Sequence, residues 1–255
     1  MQIILTIGIP AFLHHSGVHL IISSLQNRSD IEIVVSEDVP IHREGIRDLP
    51  NWSNIIYSDN TPPLGAVPNW NAILKIANGQ FVWLIHHDEV PHFPNGLDAF
   101  MRYLKETDAG FLVSYLKSRE DSFLQRVVRY DPFRRMLLRF PASILFQNYI
   151  GSPSNVIIRK RYLEAFDENL KWFVDVEWFF RVLKRADAIE LSKFEVTSLP
   201  YELSITSGLA STAKAISLSE IDYIFGKHHL NILFRRIWQF KVCWRDIYRR
   251  RCKSA

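Results

Sequence analysis

The sequence predicts an α/β fold in which a mostly parallel sheet is flanked by helices and followed by a basic helical extension. Residues 3–9 (IILTIGI) and 31–35 (IEIVV) are short, β-branched, nearly continuous apolar runs, the pattern of strands buried on both faces of a parallel sheet. A helical stretch lies between them, and such a strand, helix, strand unit takes a right-handed crossover. With 255 residues, 47% hydrophobic and 23% charged, the chain has enough apolar material for one full α/β core.

Gly17–Asn27 reads as the first helix. The pattern repeats with Asn54–Tyr57 as a strand, Val67–Ala77 as a helix closed by Asn78-Gly79, and Phe81–Ile85 as a strand. Phe93–Lys105 is expected to be helical and Ala109–Tyr115 extended. Residues 119–147 form a basic, aromatic segment with weak helical periodicity around Pro132 and Pro141. Asn155–Arg159 then reads as a strand, Arg161–Phe166 as a short helix, Val174–Ala186 as a helix and Ile189–Thr197 as a strand. Residues 215–250 look like one or two helices, and neither an internal repeat nor a low-complexity linker occurs. The expected division is a domain over 1–214, with halves 1–115 and 116–214, and a basic amphipathic tail over 215–255.

Two cysteines, Cys243 and Cys252, leave no disulfide framework or cysteine-based zinc motif, which fits a reducing, cytoplasmic setting. MQIILTIGIP lacks the basic start and small-residue cleavage site of a signal peptide. Every aromatic-rich stretch is broken by Arg, Lys or Asp before the roughly 18 to 20 apolar residues of a spanning helix are reached. The net charge of +4 is concentrated at Arg126, Arg129, Arg134, Arg135 and Arg139 and between Lys227 and Lys253, so anionic partners are expected.

Ligands of such sheets gather at the carboxyl ends of strands. Pro10 to Phe12, Ser36-Glu37-Asp38, Asn60 with Gly65, and His86-His87-Asp88-Glu89 would converge there. The last group is the most informative, because an apolar strand ending in a His and carboxylate cluster delivers hard ligands to the sheet edge. Mg²⁺ or Mn²⁺ suits it, with Asp88 as metal ligand. His86 binds the metal directly, reaches it through water, or donates to a phosphate; a polar turn after a buried strand is the plainer reading. Zinc is disfavoured, since adjacent histidines on a strand face opposite ways and no HExxH spacing occurs. Asp175, in WFVDVE at the start of an apolar helix, is either an N-cap or a general base. Asn148 to Ser154 (NYIGSPS) is a turn-rich loop whose glycine permits close backbone approach.

Taken in order, IGIPAF, EIVVSED, LGAVPNWNAILKIANGQFVWLIHHDE and YIGSPSNVIIRKRYLEAFDENLKWFVDVEWFFRVLKR resemble the family 2 glycosyltransferases over roughly residues 3–207. That resemblance implies the GT-A fold, a Rossmann-like, mixed but mostly parallel sheet. It also implies inverting transfer of a sugar from a nucleotide-diphosphate sugar donor to a glycan or lipid-linked acceptor, in surface polysaccharide synthesis. By position, Pro10, Phe12, Glu37 and Asn71 would line the nucleoside site with Asp38 close by. His86 and His87 would lie at the diphosphate, Asp88 would be the metal-binding end of the family's DxD motif, and Asp175 the catalytic base. His86 stands where the first acid of DxD is expected, Glu89 and Glu37 replace frequent aspartates, and the family's late histidine is missing from Tyr201–Thr206.

From Phe225 onward, apolar and basic residues interleave. This is the pattern of a helix at an anionic membrane surface, peripheral to the cytoplasmic face, and equally of a helix packed on the domain with a solvated basic face. No nucleic-acid-binding motif accompanies the charge. A sugar nucleotidyltransferase would need a Gly-rich, basic phosphate loop that IGIPAFLHH lacks. A non-catalytic binding protein, for sugar nucleotides or a membrane surface, is the other alternative.

Overall fold

The computed structural model describes residues 2–12, 15–38, 50–114, 130–192, 194–199 and 212–253, with the backbone alone at residue 15 and at 245–253. Arg126, Arg129, Tyr115 and the 201–206 stretch lie outside the described residues. In chain order the elements are β1 (Leu5–Ala11), α1 (His15–Ser23), β2 (Ile31–Glu37), β3 (Ile55–Asp59), α2 (Ala66–Ile76), β4 (Phe81–Leu84), β5 (Glu89–His92) and α3 (Leu97–Glu106). Then follow β6 (Phe111–Ser114), α4 (Asp131–Leu138), β7 (Val156–Arg159), α5 (Val174–Arg185), β8 (Ile189–Ser192), β9 (Glu195–Ser198), α6 (Ala213–Lys227) and α7 (Ile232–Lys253).

Seven strands make one sheet in the order β3-β2-β1-β4-β7-β6-β8. β3, β2, β1 and β4 run parallel, β7 is antiparallel to both its neighbours, and β8 runs parallel to β6. Every residue of β1 and β2 is buried, as their unbroken apolar runs require. Alternation across the pleat divides the core in two. Ile7, Ile9, Ile33, Val35 and Trp83 face α1 and α3, whereas Val34, Val82 and Leu84 face α2, α5 and the terminal pair α6 and α7. Ile221, Ile224 and Phe225 of α6 and Trp238 of α7 are part of this second core.

Three expectations need correction. Ile189–Thr197 is two strands: β8 extends the main sheet, while β9 leaves it to pair antiparallel with β5, Glu89 opposite Ser198 and His92 opposite Glu195. A single run of extended residues carries no mark of a change of partner. Arg161–Phe166 is not a helix beyond a 3₁₀ turn at Lys160–Tyr162. The third helix begins at Leu97 rather than Phe93, because Pro94 and Gly96 interrupt the preceding turn.

Candidate active site

The sheet order reverses beside β1: the chain leaves it toward β2 and β3 and returns on its other side at β4. A crevice forms at such a switch point, at the carboxyl ends of the strands. Here that edge carries Pro10 and Ala11 from β1, Glu37 and Asp38 from β2, and the His86–Glu89 turn after β4. The two sides of the switch are joined by His87, whose Nδ1 lies 3.0 Å from the Pro10 carbonyl oxygen. A carbonyl only accepts, so Nδ1 carries the proton. Phe12, just beyond β1, has a half-exposed ring.

The turn after β4 is held tightly. The His86 backbone N–H donates to Ser154 Oγ at 3.0 Å, and the Glu89 N–H donates to the His86 carbonyl at 2.9 Å. The His86 ring stacks on Trp70 of α2, centroids 5.0 Å apart, and its Nδ1 is 3.3 Å from Glu89 Oε2. Glu89 Oε1 accepts from Ser152 Oγ at 2.8 Å. Burial works against the Glu89 charge, but the imidazole and the serine hydroxyls hold its pKa below the ordinary value. Burial likewise opposes the imidazolium, yet Glu89, Asp88 and Asp175 together raise the His86 pKa above its usual value. His86 Nε2 is a buried nitrogen without a hydrogen-bond partner among the described residues.

Ligand atoms of His86, Asp88 and Glu89 all lie within 4.8 Å of one another. An imidazole with an orphaned nitrogen beside two carboxylates fits a borderline-hard divalent cation such as Mn²⁺, and the carboxylates fit Mg²⁺ as well. Glu89 joined the sequence-level motif without being assigned a ligand role; the structure brings it to the cluster.

Asp175 is the second residue of α5, not its N-cap; Phe173 occupies that place, without a side-chain cap. Asp175 thus lies inside the first turn of the helix and not at the N-cap position. Asp175 Oδ1 accepts the Val176 N–H at 2.9 Å and Oδ2 accepts from Asn148 Nδ2 at 2.9 Å. Burial pushes its pKa up to about 6, against the opposing pull of those hydrogen bonds and of His86. Asn148 uses its whole amide: Oδ1 accepts the N–H groups of Ile150 and Gly151, and Nδ2 donates to the Gly151 carbonyl as well as to Asp175. Gly151, at φ 103°, takes the left-handed conformation that closes this turn. Sequence reasoning singled out the loop but not Asn148; the available signal was an Asn three residues before a Gly, the mark of an Asx turn.

The remaining expected residues divide. Asp38 sits at the crevice edge, but its carboxylate is committed to the loop before α2. Oδ1 accepts the Leu64 N–H at 2.7 Å and Oδ2 the Gly65 N–H at 2.9 Å. Asn60, expected at this edge, and Asn69, which the sequence does not point to, complete this cluster: Asn60 Nδ2 donates to Asn69 Oδ1 at 2.9 Å. Glu37 is fully buried near Tyr57, whose hydroxyl pKa burial and the Glu37 charge together raise. Asn71 is not brought to the others. Its amide exchanges hydrogen bonds with the Phe166 backbone and donates to Glu168, tying α2 to that loop.

Among curated proteins, the uncharacterized protein MT1568 of Mycobacterium tuberculosis (strain CDC 1551 / Oshkosh) is 27% identical over 168 residues, covering 60% of this chain and 50% of that protein. The chain thus spans about half the length of the curated relative it matches. Among solved structures, S. aureus TarS 1-349 in complex with UDP-GlcNAc superposes with a TM-score of 0.62 at 16% identity, covering 95% of this chain and 72% of that one. The mannosyltransferase PcManGT from Pyrobaculum calidifontis, in complex with GDP-Man and Mn²⁺, gives 0.59 at 12% identity, covering 95% and 70%. These likenesses are of fold, and the fold is the GT-A type. The model of glycosyl transferase family 2 matches residues 6–166, more than half of the sequence, and the chain belongs to that family.

Proposed function

We propose that this chain transfers a glycosyl group from a nucleotide-diphosphate sugar to an acceptor hydroxyl with inversion, and that Asp175 is the base. The observation that carries the reading is Asp175 itself. It is a half-buried carboxylate whose pKa is pushed up to about 6, fixed by Asn148, and it and His86 shift each other's pKa. A general base works best with a pKa near the operating pH. The acceptor oxygen attacks the anomeric carbon as the bond to the diphosphate breaks, and its proton passes to Asp175. One in-line displacement inverts the configuration and releases a nucleoside diphosphate.

The donor class is supported by the fold neighbours, one complexed with UDP-GlcNAc and one with GDP-Man. Pro10, Phe12 and Glu37, at the carboxyl ends of β1 and β2, are assigned to the nucleoside side. His86 and His87 are assigned to the diphosphate. Asp88, with His86 and Glu89, would hold Mn²⁺ or Mg²⁺, which when bound neutralises charge on a departing diphosphate. Asp38 and Asn71 act instead as struts, through the hydrogen bonds already described. A glycan or lipid-linked glycan of a surface polysaccharide is the acceptor class we assign.

The test is donor turnover with Mn²⁺ or Mg²⁺, in wild type, Asp88→Ala and Asp175→Asn, with each nucleotide sugar first screened for thermal protection. Metal-dependent turnover is expected in wild type alone. Equal rates in Asp88→Ala would remove the metal role, and full transfer by Asp175→Asn would remove the base.

A further inference from the structure

Among the described residues helix α7 carries two apolar faces, one packed on the domain and one exposed. On the inner face Trp238 is buried against Phe173 and Phe225, ring centroids 4.7 and 5.7 Å away. Lys241 Nζ donates to the Phe146 carbonyl and to Gln147 Oε1. On the outer face Leu233, Ile237, Phe240 and Trp244 recur at three- and four-residue steps, with exposures between 48% and 67%. The last two rings stack on each other, centroids 6.1 Å apart. Spacing of this kind lines up one continuous stripe along a helix. An exposed apolar stripe of several large side chains marks a contact surface.

Charge identifies the contact. Residues 232–253 hold eight basic residues (Arg235, Arg236, Lys241, Arg245, Arg249, Arg250, Arg251 and Lys253) against one acid, Asp246. A second copy of α7 laid on this face would oppose one such excess with another. An anionic lipid surface complements it, taking the apolar stripe at the acyl boundary and the basic residues among the headgroups. No described helix is long and apolar enough to cross a membrane, so the contact is a helix lying in the surface plane.

We infer that α7 docks this protein on an anionic bilayer through Leu233, Ile237, Phe240 and Trp244. The inference stands apart from the assignment of Asp175, but the packing gives it a consequence. α7 is fastened to Phe146 and Gln147, directly before the Asn148 that holds Asp175, and its Trp238 packs on Phe173, two residues ahead of the same carboxylate. A docked helix therefore sets the Asp175 side of the crevice against the bilayer, where a lipid-linked hydroxyl would be presented.

The experiment is co-sedimentation of the full chain with vesicles of phosphatidylcholine alone and of phosphatidylcholine with phosphatidylglycerol. Binding is expected only with phosphatidylglycerol, and weaker at high salt. The double variant Phe240→Glu, Trp244→Glu is expected to partition at least about tenfold less, with donor turnover and melting temperature unchanged. As a measure independent of any variant, brominated acyl chains in the anionic vesicles should quench wild-type tryptophan emission. Equal partitioning of wild type and double variant, or absence of quenching, overturns the proposal. So does a concentration-dependent dimer in solution that the same double variant dissolves, which would give the face to a second copy.

Discussion

Asp175→Asn is expected to remove transfer and to make the metal-free protein more stable at pH 8. The Asp175 pKa is pushed from 3.8 to about 6 by burial. A carboxyl group whose folded pKa lies above its unfolded value costs nothing below about pH 4, costs more as pH rises toward 6, and exacts the full penalty above that. About two units at roughly 1.4 kcal/mol each make that penalty about 3 kcal/mol. The amide avoids it but loses one of two hydrogen bonds. The carboxylate accepts from both Val176 and Asn148, and Asn148 cannot turn its own amide because Oδ1 already holds the Ile150 and Gly151 N–H groups. That loss costs about 1 to 1.5 kcal/mol. A net gain of about 1.5 to 2 kcal/mol raises the melting temperature of a chain this size by about 3 to 8 °C. The same comparison near pH 4 should show no gain, and transfer at pH 8 should fall by about 10² to 10⁴. Thermal melts in chelator at the two pH values and initial rates at pH 8 read all three quantities. An unchanged or lower melting temperature at pH 8 would refute the account of Asp175 as a carboxylate kept ionised against burial.

Asn148→Ala removes a hydrogen bond that lowers the Asp175 pKa, so the acid limb of the rate profile should move to higher pH by about one unit; an unmoved limb counts against the contact. Glu220 of α6 accepts the backbone N–H groups of Lys171, Trp172 and Phe173 just ahead of α5. Glu220→Gln should therefore cost about 2 kcal/mol in urea unfolding and lower kcat through a looser Asp175 turn, and an unchanged midpoint would contradict this. His86→Asp places a third carboxylate beside Asp88 and Glu89 and removes the imidazole that holds the Glu89 pKa down. It should lower metal-free stability by about 1 to 3 kcal/mol and enlarge the stabilisation by Mn²⁺ beyond that of wild type; an identical Mn²⁺ shift in both proteins would speak against a cation at this turn.

What the sequence made legible follows from periodicity and from strand ends. β1, β2 and β4 are buried on both faces, so their apolar runs announce them, and the switch point then places Pro10, Glu37 and His86–Glu89 on one edge. Hydrogen bonds that cross the fold leave no such trace. Asn71 looks as well placed as Asn69, two positions apart on one helix, yet Asn69 faces Asn60 and Asn71 faces Phe166. The 100° turn per helical residue separates them, and only the packing of α2 fixes which one meets the crevice. Nothing in the sequence around Asp38 foretells that its two oxygens accept the N–H groups of Leu64 and Gly65, twenty-six and twenty-seven residues later. The strand pair β5 and β9 was hidden for a related reason, since its partners lie more than a hundred residues apart at Glu89 and Ser198.

His86, standing where the family resemblance leads one to expect an acid, has a physical counterpart in what surrounds it. Two aspartates and Glu89 would bring three carboxylates to a turn already shielded by Trp70 and Ser154, and like charges that close cannot all ionise without a cation. An imidazole there is held by Glu89 at 3.3 Å and by the fields of Asp88 and Asp175, so the turn carries part of its own countercharge. The same positive charge lowers the Asp175 pKa against the push of burial. His86 therefore links the two halves of the site: it moderates the carboxylates of the turn and helps keep Asp175 ionised. In the metal-free protein position 86 thus supplies part of the positive charge of the site, and the pH profile of a His86 variant in chelator is where that contribution would be read.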